Sequence, residues 1–305
     1  MTTIDNILNP FQLYTIPLDD WINSLVDFIV NRFRPFFQAI SFPIRWVLQN
    51  IEGFFNAIPP LIFIILTALI AWKLAGKKVA LYSIVSLILI GLIDVWEQAM
   101  VSLSLVITAI VFCLLVGIPV GIICAKSDRT ERLIRPLLDI MQTLPSFVYL
   151  VPVVMLFGIG EVPGVIATII FAIPPLIRLT NLGIRQVSPE VIEAAISFGS
   201  NPWQLLWEAQ IPLAMPTILA GVNQAILMGL SMSVITSMIA VEGLGQMVLQ
   251  GVGRLDVGLA AVGGLGIVLL AIMLDRITQE VGKSKPQFTL QQQSPIGLLL
   301  SWLRG

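Results

Sequence analysis

The sequence has no histidine, only two cysteines, and just 11% charged residues in a chain of 305. Without histidine there is no imidazole acid–base catalysis and no histidine-ligated metal site. Cys113 and Cys124 share one apolar segment without a C-x-x-C spacing. They read as small buried helix residues rather than as a disulfide or a metal pair. A soluble domain carries about a quarter charged residues, so this chain has too little polar surface to cover a soluble globule. No G-x-x-x-x-G-K-[ST] phosphate loop occurs. The chain is therefore not expected to be an enzyme by itself, and it holds no cofactor or metal site of its own. The first residues, MTTIDNILNP, lack a basic stretch followed by an apolar one, so no cleavable signal peptide is expected. No nucleic-acid partner is expected either.

What is present is apolar sequence, 57% of the chain, arranged in long runs. A membrane helix needs roughly 20 mostly apolar residues. Stretches near 59–75, 79–96, 100–125, 137–158, 162–182, 214–240 and 257–280 meet or approach that length. The expected fold is an all-α membrane protein with about seven transmembrane helices. Basic residues sort between the ends of these runs. Lys73, Lys77, Lys78, Lys126, Arg129, Arg132, Arg135, Arg178, Arg185, Arg276, Lys283, Lys285 and Arg304 fall on one side if seven spans alternate. Arg32, Arg34, Arg45 and Arg254 fall on the other. That is 13 of the 17 basic residues on one side. By the positive-inside rule the N-terminus lies outside and the C-terminus in the cytoplasm.

Residues 1–58 are a different material. Segment 18–34 places Trp21, Leu25, Phe28 and Ile29 on one helical face, with Asp19, Asp20, Asn23, Asp27 and Asn31 largely on the other. Segment 44–58 repeats the pattern with Val47, Ile51, Phe54, Phe55 and Ile58. Two amphipathic helices follow, which either lie in the outer interface against lipid or pack on the chain's own spans.

One loop is too structured to be a connector. Residues 183–213 read GIRQVSPEVIEAAISFGSNPWQLLWEAQIPL. Ser188 and Pro189 open a short helix, and Gly199 ends it with a position free to take positive φ. Asn201 and Pro202 open a second helix, which Pro212 is expected to follow. The pair exposes Ile196, Phe198, Trp203, Leu206 and Trp207, a cluster that is costly unless something covers it. It either folds back onto the membrane surface or docks a partner protein.

The run Glu193-Ala194-Ala195, three residues, Gly199, then Ile211-Pro212 resembles the EAA loop of ABC importer permeases. Ala209 and Ile211 stand where Ile and Leu are usual in that family. The resemblance implies a type I ABC importer permease fold. It also implies coupling helices seated in a cytoplasmic ATPase, with Glu193, Ala194, Ala195, Phe198, Gly199, Trp203, Leu206, Trp207 and Pro212 in contact. Residues 136–160, 212–258 and 272–279 resemble more specifically the glycine betaine/proline betaine permeases. That family takes up compatible solutes under osmotic stress.

The division implied is an extracytoplasmic segment 1–58, two accessory helices 59–97, the transmembrane domain 98–281 and a cytoplasmic tail 282–305. The implied partners are a second copy of this chain, two copies of an ATPase that carries ATP and magnesium, and a solute-binding protein. With only about 23 residues after the last run, that binding protein is expected as a separate chain. The implied location is the bacterial cytoplasmic membrane.

Asp139, Arg178, Asp275 and Arg276 fall near span ends and none near a midplane, which argues against an ion-coupled carrier. Candidate groups lining a solute path are Gln142, Thr143, Pro145, Phe147, Tyr149, Asn223, Gln224, Ser231, Ser233 and Thr236. For each polar one the competing reading is a hydrogen bond between or within helices. The rivals for function are a permease of the same fold for another amine or amino acid, an ion-coupled carrier or channel, and a non-transporting scaffold.

Overall fold

The computed structural model describes residues 17–282, all helices and connecting turns with no strand among them. The apolar tail 298–303 and the basic residues Lys283, Lys285 and Arg304 lie outside the described residues. In chain order the elements are α1 (Leu18–Ala57), α2 (Pro60–Ala75), α3 (Lys77–Leu92), α4 (Trp96–Lys126), α5 (Asp128–Thr143), α6 (Leu150–Phe157), α7 (Glu161–Arg185), α8 (Pro189–Ser197), α9 (Pro202–Ile239), α10 (Leu244–Arg254) and α11 (Val257–Gly282).

Four of these, α4, α7, α9 and α11, are each long and apolar enough to cross a bilayer. Two bent pairs reach that length and composition only when their halves are taken together. α1 and α2 meet at 109°, and α5 meets the 146–157 segment at 107°. The expected fourth span, 137–158, is therefore not one rod. Helix α5 stops at Thr143, and Pro145 opens a short 3-10 turn over Ser146–Tyr149 before α6. Proline removes a backbone donor and pushes its predecessor out of the α region; Leu144 is accordingly extended, with ψ 137°. Tyr149 locks the bend, its hydroxyl donating to the Met141 and Leu144 carbonyls.

The first two expected spans are 16-residue helices joined at Gly76. At 1.5 Å per residue each is about 24 Å long, short of a hydrocarbon core of about 30 Å.

The N-terminal expectation of two amphipathic helices is also corrected. α1 runs 40 residues without a break through Pro35 and Pro43. Its inward seam, Phe37, Ile40, Ile44 and Leu48, recurs every three or four residues, and Ile44 and Leu48 are buried against α4, α6 and α7. That packing continues across Pro43, so the lost backbone bond there does not end the helix. On the other side of α1, Trp21, Phe28, Phe42 and Trp46 remain exposed.

The centre is the trio α4, α7 and α9, and 72% of the apolar window of α7 is buried, the highest share among the four long helices. Close approach is set by Gly121 of α4. A Cβ there would lie 2.6 Å from Thr180 Cβ and 3.0 Å from the Ile177 carbonyl. Small residues of this kind drive packing where lipid removes the hydrophobic incentive. α7 carries Pro174 and Pro175 inside one continuous helix. α11 packs on α9, α10 on α11, and the α2–α3 hairpin on α11. Cys113 and Cys124 are buried and unpaired.

Candidate coupling loop and solute path

The loop after α7 follows its local punctuation. Pro189 sits in the first turn of α8, and Gly199, at φ +86°, ends it. No atom lies within 4 Å of where a Gly199 Cβ would be, so glycine is required there by backbone conformation and not by space. Asn201 caps the next helix in full: its side chain accepts from the Trp203 and Gln204 amides, while the Gln204 side chain accepts from the Asn201 amide. Ser188 occupies the cap position of α8 but makes no side-chain cap bond.

The second helix does not end at Pro212. It passes through a π-wound turn, Leu205–Gln210, in which the Ile211 amide reaches the Leu206 carbonyl, and continues into the membrane helix. Widening the turn absorbs the donor that Pro212 lacks. The result is one 38-residue helix, about 57 Å long, running from the loop to Ile239.

Phe198 is 92% exposed, and Ile196, Trp203 and Trp207 are exposed beside it. Glu193 and Ala194 are exposed and Ala195 is half-buried. Leu206 departs from expectation. It turns inward and is 2% exposed, so it holds the loop together and presents nothing outward. Lys126, at the end of α4, stands 5.5 Å from the centre of the Trp203 ring, within cation–π range.

Beneath the loop lies a charged seam that sequence reasoning did not assemble. Arg185, in the last turn of α7, pairs with Asp128 at 2.7 Å and Glu131 at 3.1 Å, and donates to the Cys124 carbonyl at 2.9 Å. Asn181 donates to Glu131 and accepts from Arg185. Arg178 pairs with Asp139 at 2.7 Å. The ends of α4, α5 and α7 are thus tied together where the loop begins. The available signal was matched helical spacing: Arg178, Asn181 and Arg185 on α7 against Asp128, Glu131 and Asp139 on α5.

The path candidates divide. Asn223 donates to Asp275 at 2.8 Å and accepts from Thr278, fastening α9 to α11. Thr236 is buried and bonds back to the Met232 carbonyl, and Ser233 to the Leu230 carbonyl. Tyr149 is buried in the bend at Pro145. These four serve the fold's own hydrogen bonding. Thr143 is exposed and donates weakly to the Ile140 carbonyl at 3.4 Å. Pro145 is exposed, and Phe147 is 58% exposed in the turn after it, Ser146–Tyr149, which packs beside α9. Gln224 and Ser231 are exposed on one face of α9, two turns apart. Ser231 bonds its own helix, whereas among the described residues Gln142 and Gln224 have no side-chain hydrogen-bond partner. That face of α9 also exposes Leu213, Ala220 and Met238.

Residues 117–283 match the family model described as binding-protein-dependent transport system inner membrane component. The chain is 56% identical over 297 residues to the glycine betaine/proline betaine transport system permease protein ProW of Escherichia coli (strain K12), covering 96% of this chain and 84% of that protein. It is 48% identical to the glycine betaine/carnitine transport permease protein GbuB of Listeria monocytogenes serotype 1/2a (strain 10403S), over 88% of this chain and 96% of that one. The inward-facing MetNI methionine ABC transporter is similar in fold, with a TM-score of 0.54 at 19% identity, over 59% of this chain and 93% of the solved one.

Proposed function

The chain belongs to the binding-protein-dependent transport system inner membrane components, the permease subunits of ABC importers, and from that premise we propose how it works and what it carries. The cargo is glycine betaine, proline betaine and related solutes that join a quaternary ammonium to a carboxylate. The permease is a multi-pass membrane protein and not itself catalytic. ATP and magnesium reside on a partner ATPase. Two copies of this chain face one another, with two ATPase subunits below and a separate solute-binding protein outside. The N-terminus is extracytoplasmic and the C-terminus cytoplasmic, as the sorting of basic residues suggests. Residues 98–281 form the transmembrane transport domain, with 59–97 as accessory helices.

The observation that carries the mechanism is the unbroken helix from Pro202 to Ile239. It has the exposed Trp203 and Trp207 at one end, and Gln224 and Ser231 on an open face further along. When the ATPase dimer closes on ATP, the α8–α9 corner moves with it. A continuous helix passes that displacement to the path without a hinge. Solute released by the binding protein enters between two such faces, and hydrolysis resets them.

The test is co-purification with the ATPase, followed by uptake of radiolabelled glycine betaine into proteoliposomes with the binding protein. Uptake that requires ATP and all three components supports the reading. Uptake by this chain alone, or none with any betaine, would refute it.

A further inference from the structure

A groove between α1 and α6 is lined by groups that the transport mechanism does not use. On α1, Arg34, Gln38, Ser41 and Arg45 follow one another at spacings of four, three and four residues. At 100° per residue they fall within about 60° of arc, and all four line one wall of a groove of about 540 Å3. Residues 154–158, the carbonyl end of α6 and its following glycine, form the other wall. Among the described residues neither guanidinium has a carboxylate within ion-pair reach, and neither donates to a carbonyl of that helix end. Gln38 is likewise unbonded, and Ser41 donates only to the Phe37 carbonyl of its own helix.

The neighbouring arc of α1 carries the exposed Trp21, Phe28, Phe42 and Trp46. Aromatic side chains of this kind settle at the level of lipid headgroups. Phe42 belongs both to that arc and to the groove. The two arginines are thus held beside a surface that seeks the headgroup layer, where the abundant anionic group is the phosphate diester.

We propose that this groove binds the phosphate of a membrane phospholipid, Arg34 and Arg45 donating to its oxygens and the acyl chains lying against the aromatic arc. Guanidinium is suited to this by its fixed fork of donors and weak hydration. The bound lipid bridges α1 to the outer end of α6, an attachment otherwise made by apolar contact.

The test uses the full-length chain purified from membranes and native mass spectrometry. The probes are phosphatidylglycerol, phosphatidylethanolamine, diacylglycerol and inorganic phosphate. Both phospholipids should be retained, and diacylglycerol, which lacks the phosphate, should not. The double substitution Arg34→Gln/Arg45→Gln should lower phospholipid occupancy about thirtyfold. Arg254→Gln, in the last turn of α10 and not lining the groove, should leave it unchanged. Should the double variant fail to fold, the contrast between phospholipid and diacylglycerol on the wild-type chain decides alone. Equal retention of diacylglycerol, equal occupancy in the double variant, or displacement by inorganic phosphate at matched concentration would overturn the proposal. The groove would then belong to a free anion or an acidic protein surface.

Discussion

The candidate coupling loop and the candidate solute path differ in what fixes their residues. In the loop, neighbours in sequence do the fixing: Asn201 with Gln204, Pro189 in a first turn, Gly199 at positive φ. Along the path, the fastening partners of Asn223 lie far away in sequence, at Asp275 and Thr278 on α11. The loop therefore presents its apolar side chains outward on a self-sufficient scaffold. The path presents only the polar groups that remain after the helices have been fastened together.

The largest expected effect tests the self-sufficiency of the loop. Gly199→Pro fixes φ near −65° where the chain needs +86°. ATP-dependent uptake should fall by about a hundredfold or more, in line with a misfit of 3 kcal/mol or greater, while membrane insertion is unchanged. Gly199→Ala meets no steric contact and should cost only about 1 kcal/mol, leaving measurable uptake. Wild-type uptake by the proline variant would show that α8 and α9 are not set by this corner.

Next in size is the fastening of the path. Asn223→Ala removes a bond to the half-buried Asp275 and another to Thr278. Stability of the detergent-solubilised protein should drop by about 2 kcal/mol, read as a lowered thermal midpoint. If the midpoint holds while the KM for solute rises, Asn223 touches solute and its structural assignment here is wrong.

A smaller effect is expected at the seam between the two regions. Arg185 is partly exposed, so its pairing with Asp128 and Glu131 is screened. Arg185→Gln should cost about 1 kcal/mol, seen as ATPase activity less responsive to solute while uptake falls about fivefold. Arg185→Lys keeps the charge but loses the simultaneous reach to the Cys124 carbonyl, and should lie between the two.

These contrasts also explain what could be read from the sequence. The long spans, the loop, its cap at Asn201 and its turn at Gly199 are local patterns, and they appear in the structure where the sequence put them. The failures are tertiary. Pro43 did not break α1, because Ile40 before it and Ile44 and Leu48 after it pack into one apolar cluster. Pro212 did not end the loop helix, because the π turn accommodates it. Leu206 looked like its neighbours Trp203 and Trp207 in composition, yet the wider turn rotates it inward. At Pro145 the sequence showed a proline but not the Tyr149 hydroxyl that turns a kink into a bend of 107°.

The smallest expected effect separates two environments for the open face of α9. Gln224 is exposed, and among the described residues its amide has no hydrogen-bond partner. If that face met lipid, an unpaired amide in hydrocarbon would cost stability, and Gln224→Leu should raise the thermal midpoint while leaving transport alone. If the face lines the passage between two copies, the amide is solvated or touches solute. Gln224→Leu then leaves the midpoint within about 0.5 kcal/mol and raises the KM for glycine betaine about threefold, the loss of one modest hydrogen bond. The two outcomes have opposite signatures in two measurements, so one variant decides. Asn223, one residue earlier, supplies the internal control: it should change the midpoint most where Gln224 changes it least. Adjacent polar residues on one helix would then report, one the fastening of the bundle and the other the route through it.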